Sequence, residues 1–225
     1  MTFHCKDCRE CGQERDGQPD RMIQAGIGER MMNGDETRRR ILALRDGAAG
    51  DERERWSAAI SEFLLDFAPF CRAGTVMAFA SFRSEVDTGP IVEAALARGQ
   101  RVVLPRSLVG ERRMALYEID DPASQLSPGY CGIPEPLPKR CRAVDPAAVE
   151  VVLLPGSVFS RKGQRLGYGG GFYDRFLANE APEALRIGLC FGLQIVEQIP
   201  QEPHDQAMDY LVCEKGVIDC RTGSV

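Results

Sequence analysis

The chain has 225 residues, of which 44% are hydrophobic, a size and composition that suit one folded domain with a well-buried core. Its formal net charge of -5 argues against non-specific binding of nucleic acid. No apolar run approaches the roughly 20 residues that a transmembrane helix needs, and the first residues lack the apolar region of a signal peptide. We therefore expect a cytoplasmic protein without nucleic-acid or membrane partners, either a monomer or a homodimer.

The first 34 residues differ from the rest of the chain. Cys5, Cys8 and Cys11 stand beside His4 at a spacing that zinc and iron–sulfur sites use, but no second cluster of ligands accompanies them. The residues that follow are polar and glycine-rich, which is typical of disorder. We predict a disordered, Cys-containing extension over 1–34 and one domain over 35–225. A metal- or redox-responsive role for these cysteines, and translation that starts at a later methionine, are the alternatives.

Two helices are predicted at the start of the domain. Residues 36–47 form a short helix that ends near Gly47, and Asp51 begins a second helix with Glu54 three residues later, the spacing of a capping box. One face of the second helix is apolar and is predicted to enter the core. This face consists of Trp56, Ile60, Phe63, Leu64 and Phe67.

The remaining pattern alternates strands and helices. Strand 75–81, helix 88–99 and strand 101–106 follow one another with short connections, which predicts a βαβ unit and a parallel sheet. Further strands are expected at 114–119, 149–156, 185–191 and 209–214, and the most apolar, 149–156, at the centre of the sheet. The predicted fold is α/β, a single domain with a mainly parallel central sheet flanked by helices.

The segment 163–175, GQRLGYGGGFYDR, combines five glycines with charged and aromatic residues. It lies between strand 149–156 and a helix, so we expect it at the carboxyl edge of the sheet, where open α/β sheets bind ligands. Its glycines let successive N–H groups approach an anion, although the segment matches neither the Walker nor the G-x-G-x-x-G pattern. Arg165 can neutralise a polyphosphate, and Asp174 can bind Mg²⁺. The alternative is a structural turn with Tyr173 packed inside and an Arg165–Asp174 ion pair.

The longer run LLPGSVFSRKGQRLGYGGGFYDRFL resembles the signature of the 5-formyltetrahydrofolate cyclo-ligase family. The segments FASFRSEVDTGPIV, RVVLPR, GIPEP and PHDQAMDYLV follow the family's order, so the resemblance covers residues 35–214. It implies a fold of the ribose-isomerase and CoA-transferase type. It also implies ATP- and Mg²⁺-dependent conversion of 5-formyltetrahydrofolate to 5,10-methenyltetrahydrofolate, ADP and phosphate. The formyl oxygen would attack the γ-phosphate before N10 closes the ring.

The resemblance assigns roles to individual residues. The implied catalytic residues are Arg165, Tyr173 and Asp174, and the implied metal ligands are Asp174 and Asp205. The implied ATP-binding residues are Arg38, Arg165, Leu166, Gly167, Tyr168, Gly169, Gly170, Gly171, Phe172 and Tyr173. The implied folate-binding residues are Glu85, Tyr168, Gly169, Gly170, Gly171 and Phe172. The carboxylate of Glu85 suits the adjacent N–H donors of a pterin. The alternative role for Glu85 is an exposed acid near a helix cap, and the alternative role for Asp205 is a loop turn.

The chain departs from the family pattern at two places. Relatives carry a lysine four residues before an arginine, and if Arg38 is that arginine, Gly34 occupies the lysine position. The candidates to replace this lysine are Arg39, Arg40 and Lys162. Many relatives also carry an aromatic residue where this chain has Cys131, with Tyr130 beside it. The departures leave open a second function, a folate- or nucleotide-binding protein without turnover.

Overall fold

The computed structural model describes residues 33–222. Over these residues the helices are α1 (Gly34–Gly47), α2 (Gly50–Leu65), α3 (Ala68–Arg72), α4 (Gly89–Ala97), α5 (Pro122–Gln125) and α6 (Phe172–Asn179). The strands are β1 (Thr75–Met77), β2 (Arg101–Leu108), β3 (Arg113–Ile119), β4 (Leu126–Pro128), β5 (Pro134–Pro136), β6 (Ala143–Val144), β7 (Val151–Leu154), β8 (Val158–Ser160), β9 (Arg165–Leu166), β10 (Leu185–Leu189), β11 (Ile195–Val196), β12 (Tyr210–Cys213) and β13 (Gly216–Asp219).

The largest sheet has eight strands in the order β13-β12-β10-β7-β1-β2-β3-β6. Its central strands β12, β10, β7, β1 and β2 are parallel, and the remaining three join antiparallel at the edges. The βαβ unit has the predicted parallel pairing, with Thr75 opposite Arg101. The structure confirms the predicted α/β class, a single domain with a mainly parallel sheet, and places β7 next to β1 at its centre.

The side chains of β7 alternate between the two faces of this sheet, so the strand contributes to a hydrophobic core on each face. Val151 and Leu153 pack with Ile60 of α2 in the core on one face. Val152 and Leu154 pack with Phe176 of α6 in the core on the other face. Every residue of β7 is buried, which explains its continuous apolar sequence.

Helix α2 differs from its prediction in two details. It begins at Gly50 with Ala49 as N-cap and has no side-chain cap, so the predicted capping box at Asp51 is wrong. Phe63 is 41% exposed, so it does not belong to the buried face. That face consists of Ser57, Ile60, Ser61 and Leu64. Trp56 and Phe67 of the predicted face are partly buried and pack against the same core.

A short hairpin that the sequence did not reveal separates β7 from the glycine-rich segment. β8 and β9 pair antiparallel, with Val158 opposite Leu166, and β11 lies parallel to β8. Strands of two or three residues are too short to leave a periodic pattern. The hairpin returns the chain to the end of β7, where the Ser157 N–H donates to the Leu166 carbonyl oxygen at 2.8 Å.

The predicted N-terminal extension falls almost wholly outside the described residues, so it stays a prediction, as does any role of its three cysteines. Within residues 33–222, Asn33 caps α1 by accepting from the N–H groups of Asp35 and Glu36. The six cysteines of this range are free thiols. None of the helices between residues 33 and 222 is both long and apolar enough to cross a membrane.

Candidate active site

Residues 167–171, which we call the glycine loop, lie at the carboxyl end of β7. Pro155 and Gly156 follow β7 directly, and Arg165 Nη1 donates to the Pro155 carbonyl oxygen at 3.4 Å. The buried Gln194 donates to the Gly156 carbonyl oxygen at 2.8 Å. The Ser157 hydroxyl donates to the Gly167 carbonyl oxygen at 3.4 Å. The loop therefore lies where the sequence predicts it, at the edge of a parallel sheet that commonly binds ligands.

The backbone N–H groups of this segment are unpaired. From Gly167 to Asp174, none of them donates a hydrogen bond to any described residue. The run includes the first turn of α6, whose N–H groups have no acceptor within the helix and carry partial positive charge. Successive free N–H groups beside a helix N-terminus form a cradle for an anion.

Glycine is required in this loop for two different reasons. Gly169 has a φ of 95°, a conformation that L residues rarely adopt. At Gly167, a Cβ atom would lie 2.8 Å from Nη1 of Arg165, so any side chain there would displace the guanidinium. The loop sequence therefore fixes both the backbone shape and its close approach to Arg165.

Arg165 lies beside the loop as a buried cation. Its side chain is 3% exposed, and Nη2 donates to Asp174 Oδ1 at 2.9 Å. Its Nε is buried and has no hydrogen-bond partner among the described residues. An unsatisfied buried donor costs about 1–3 kcal/mol, which an additional acceptor would offset. The ion pair of the structural alternative is thus present, together with an unsatisfied donor that fits an anion site.

The two predicted metal ligands lie on segments that are in contact. Asp174 Oδ1 accepts from the N–H of Gln206 at 3.3 Å, and Gln206 is the residue that follows Asp205. Asp205 Oδ2 accepts from the Glu202 N–H at 2.8 Å, which is the contact expected if Asp205 stabilises a loop turn and does not bind a metal. No group of three or more His, Cys, Asp or Glu side chains within 33–222 could hold a metal. Because Mg²⁺ uses one or two carboxylates with water and phosphate oxygens, these residues fit magnesium that binds together with a nucleotide.

Two arginines from outside the loop hold its carbonyl groups. Arg38 Nε donates to the Gly167 carbonyl oxygen at 2.8 Å, and Arg175 Nη2 donates to the Gly170 carbonyl oxygen at 2.6 Å. In a trans peptide the C=O and N–H bonds point in opposite directions. The arginines therefore turn the next N–H groups, those of Tyr168 and Gly171, away from themselves. The structure brings the predicted residue Arg38 to the loop, although α1 is far from it in sequence.

Glu85 lies between β1 and α4, far from the loop in sequence. Its Oε2 accepts from the Phe82 N–H at 3.0 Å, and its Oε1 accepts from the Tyr168 hydroxyl. Burial raises the pKa of the Glu85 carboxyl, against the opposing effect of these two hydrogen bonds. The tertiary structure thus brings together two of the predicted folate-binding residues.

A cleft of about 370 Å³ borders Glu85 and runs between the start of α2 and the 81–90 segment. Its volume lies in the range of small-molecule sites. On the loop side, the Tyr130 and Phe172 rings are 6.3 Å apart between centroids, and Tyr130 is 46% exposed. Tyr130 therefore places an aromatic ring near the loop even though position 131 is a cysteine.

Tyr173 packs inward against the core on the α6 face. Arg165 Cζ lies 5.7 Å from the centre of its ring. Burial raises the pKa of the Tyr173 hydroxyl, with a further contribution from the charge of Glu85. The phenol is therefore neutral at physiological pH, and it can support Arg165 but is a poor proton acceptor.

The position where the resemblance expects a lysine lies beside the loop. A Cβ atom at Gly34 would be 3.7 Å from the Leu166 side chain, so a lysine there would reach this region. Arg39 and Arg40 are exposed. Lys162 is exposed in the turn between β8 and β9. None of the three makes a hydrogen bond to the glycine loop within the described part of the chain.

Arg45 of α1, which is 4% exposed, is a residue of the site that the sequence did not reveal. Its Nη1 donates to the Tyr168 hydroxyl and its Nε to the Ser84 hydroxyl, both at 3.0 Å. A signal was available, because Arg45 follows the buried Ile41 by four residues and so lies on the same helix face. Gln194 was also missed, and a single buried glutamine leaves no sequence pattern.

Comparison with known proteins shows the family to which the chain belongs. The model of the 5-formyltetrahydrofolate cyclo-ligase family matches residues 30–214. The 5-formyltetrahydrofolate cyclo-ligase of Escherichia coli (strain K12) is 34% identical over 166 residues, 73% of this chain and 91% of that relative. The protein of that name from Saccharomyces cerevisiae is 33% identical over 160 residues, 60% of this chain and 73% of that relative.

A solved structure gives the same result for the fold. The NMR structure of Aquifex aeolicus 5,10-methenyltetrahydrofolate synthetase has a TM-score of 0.75 and 30% sequence identity to this chain. The match covers 86% of this chain and 96% of that one. With the family match over most of its length, the chain belongs to the 5-formyltetrahydrofolate cyclo-ligase family.

Proposed function

We propose that the protein catalyses the ATP- and Mg²⁺-dependent cyclisation of 5-formyltetrahydrofolate to 5,10-methenyltetrahydrofolate, with release of ADP and phosphate. The observation that carries the proposal is the run of unpaired N–H groups from Gly167 to Asp174 beside the buried Arg165. Family membership indicates the reaction, and this run offers a binding place for the phosphates of ATP.

ATP would bind with its phosphates against the glycine loop. The backbone from Leu166 to Tyr173 would donate hydrogen bonds, and Arg165 would balance the negative charge. Arg38 holds the Gly167 carbonyl through Nε and pairs with Asp35 through Nη1, so Nη2 is the guanidinium nitrogen left for a phosphate near the loop. Charge-assisted hydrogen bonds of this kind contribute about 1.5–3 kcal/mol each.

The folate would bind at Glu85, whose carboxylate accepts N–H donors of the pterin. The formyl oxygen then attacks the γ-phosphorus and ADP leaves, after which N10 attacks the formyl carbon and phosphate leaves. No protein nucleophile is needed, so the residues of this chain act by positioning the substrates and by neutralising charge. Bound through Asp174 and Asp205, Mg²⁺ would supply additional neutralisation of phosphate charge.

A second candidate function is binding of folate or nucleotide without turnover. It is favoured by Gly34, because the lysine expected by the resemblance would have reached the loop from that position. Arg38, one turn further along α1, is the arginine of that pattern and contacts the loop, but none of Arg39, Arg40 and Lys162 bonds to it within residues 33–222.

The test is a turnover assay with the purified full-length protein. We expect the absorbance of methenyltetrahydrofolate to grow when 5-formyltetrahydrofolate, ATP and Mg²⁺ are all present, with one ADP formed per product molecule. Omission of either ATP or Mg²⁺ should stop the reaction. Binding of both substrates without any product would instead support the second candidate function.

A further inference from the structure

We propose that Arg45 is a positioning residue of the folate site, whose guanidinium acts through the Tyr168 hydroxyl to hold the Glu85 carboxylate in place and in its charged form. The inference rests on the proposed function, because it requires Glu85 to receive the folate. It adds a residue of α1 that touches neither substrate in this scheme.

Arg45 is a buried cation whose hydrogen-bonded neighbours are neutral groups. Its Nε donates to the Ser84 hydroxyl and its Nη1 to the Tyr168 hydroxyl, each at 3.0 Å, with the Gly156 carbonyl oxygen at 3.5 Å from Nη1. None of the ion pairs among residues 33–222 includes it. A buried charge without a direct counter-ion is costly, so its place one hydroxyl away from Glu85, which borders the cleft, points to a functional role.

The hydrogen-bond direction at Tyr168 follows from the donors available. A guanidinium can only donate, so the Tyr168 oxygen accepts from Arg45. The single proton of this hydroxyl is then directed to Glu85 Oε1. Arg45 thus fixes the orientation of a donor that holds one oxygen of Glu85, while the Phe82 N–H holds the other.

The charge of Arg45 also acts on Glu85. Burial disfavours the ionised carboxyl, whereas the positive charge of Arg45 favours it. The other titratable groups near Glu85 are Tyr168 and Tyr173 from the loop side and Arg53, Glu54, Arg83 and Asp87 around the cleft. The last four comprise two cations and two anions and are less buried than Arg45, so their effects largely offset one another and are screened by solvent.

Three elements meet at Arg45. It belongs to α1, it reaches the 82–88 segment through Ser84, and it reaches the glycine loop through Tyr168. The Ser84 hydroxyl in turn donates to the carboxylate of Asp46, which is also a residue of α1. Tyr168 as a whole residue is 51% exposed, but its hydroxyl lies between Arg45 and Glu85. Arg45 therefore links the folate side of the site to the loop that would bind ATP.

The experiment compares Arg45→Met, Arg45→Lys and Tyr168→Phe, with Arg55→Met as a matched control at an exposed arginine of α2. We measure kcat and the KM values for folate and for ATP between pH 5 and 8. For Arg45→Met we expect the KM for folate to rise about 10-fold or more at pH 7, the loss of one charge-assisted interaction. The KM for ATP should change less than about 3-fold.

The pH profile separates positioning from general damage. In wild type the KM for folate should rise at acid pH as Glu85 becomes protonated. In Arg45→Met this rise should begin at a higher pH, because the charge that favours ionised Glu85 is gone. Arg45→Lys keeps the charge without the forked geometry, so its pH profile should match wild type although its KM is higher. Arg55→Met should match wild type in every quantity.

Tyr168→Phe tests whether Arg45 acts on Glu85 through the Tyr168 hydroxyl. It also keeps the inference testable if the Arg45 variants do not fold. It should raise the KM for folate, and the Arg45→Met/Tyr168→Phe double variant should be no worse than Arg45→Met alone. An unchanged KM for folate in Tyr168→Phe, or equal rises in both KM values for Arg45→Met, would overturn the inference. Wild-type turnover is measured in the same assays. A wild-type protein without activity would contradict the proposed function and not the role of Arg45.

Discussion

Strand β7 and the glycine loop are close in sequence but are stabilised in opposite ways. All four residues of β7 are buried, and the strand pairs with β1 on one side and β10 on the other. The loop has unpaired backbone N–H groups instead, and it is held by Arg38 and Arg45 of the distant α1 and by Arg175 of the adjoining α6. The strand is stabilised by burial and backbone pairing, whereas the loop depends on side chains that converge only in the folded protein.

Because β7 and the glycine loop are stabilised differently, we expect changes in the sheet to affect stability and changes in the loop to affect activity. A change in the sheet centre leaves a cavity and costs several kcal/mol of unfolding free energy. A change in the loop removes few packed atoms but misplaces donors where phosphate charge would lie. Variants at the site should therefore separate the two properties, and the following predictions run from the largest expected effect to the smallest.

The largest effect is expected for Arg165→Ala. It removes the buried guanidinium beside the loop and leaves Asp174 without its ion-pair partner. We expect kcat/KM for ATP to fall about 100-fold, from the loss of about 1.5–3 kcal/mol of charge-assisted bonding together with misplacement of the loop. Arg161→Ala, an exposed arginine between β8 and β9, is the control and should keep wild-type kinetics. Unchanged kinetics with ATP in Arg165→Ala would mean that the loop does not bind phosphate.

Asp174→Asn distinguishes a metal ligand from a structural ion pair. As a ligand, Asp174 is needed for magnesium, so the variant should need more Mg²⁺ for half-maximal rate and lose about 10-fold or more in turnover. Loss of the charge opposite Arg165 should also lower the melting temperature. Magnesium titrations and thermal unfolding on the same preparation give both quantities. A lower melting temperature with an unchanged magnesium dependence would contradict the ligand assignment and leave only the structural pair.

Gly169→Ala and Gly99→Ala form a matched pair. Their φ values are 95° and 77°, and neither would place a Cβ atom within 4 Å of another group. Each substitution should therefore cost about 1–2 kcal/mol of unfolding free energy through backbone strain alone. Only Gly169→Ala should also raise the KM for ATP, because Gly99 lies at the end of α4, outside the site. Equal activity in the two variants would argue against the loop as the phosphate site.

Glu85→Gln should change the pH dependence of stability. Because the folded-state pKa of Glu85 is raised by burial, wild type loses the corresponding stability as pH rises through that pKa. The variant lacks this titration, so its melting temperature relative to wild type should increase from pH 4 to pH 7. The same variant should raise the KM for folate. A constant difference in melting temperature across this pH range would show that Glu85 is not desolvated.

The smallest effect is expected on removal of residues 1–31, which keeps the Asn33 cap of α1. The removed segment lacks a core-forming sequence pattern, so melting temperature and kcat should stay close to those of the full chain. Metal analysis of both proteins tests the cysteine cluster at the same time. A large loss of activity or a bound metal specific to the longer protein would assign a role to the extension.

The sequence by itself determined the α/β class, the βαβ unit at 75–106 and the central place of the 149–156 strand. These features depend on local periodicity and on continuous apolar runs, which are readable along the chain. It also revealed the glycine loop and the family motifs, because several residues of the site are contiguous there. The buried face of α2 was only partly predicted, since Phe63 is exposed while Ser57 and Ser61 are buried.

Only the tertiary structure decided which distant residues share the site. Glu85 meets Tyr168, Arg38 meets Gly167, and Arg45 joins both sides of the site through two hydroxyl groups. The physical reason is that the parallel strands end at one edge of the sheet, and α1 packs across that edge. Two arginines of α1 thereby reach the glycine loop, the half-buried Arg38 and the buried Arg45, and no local sequence pattern records that placement.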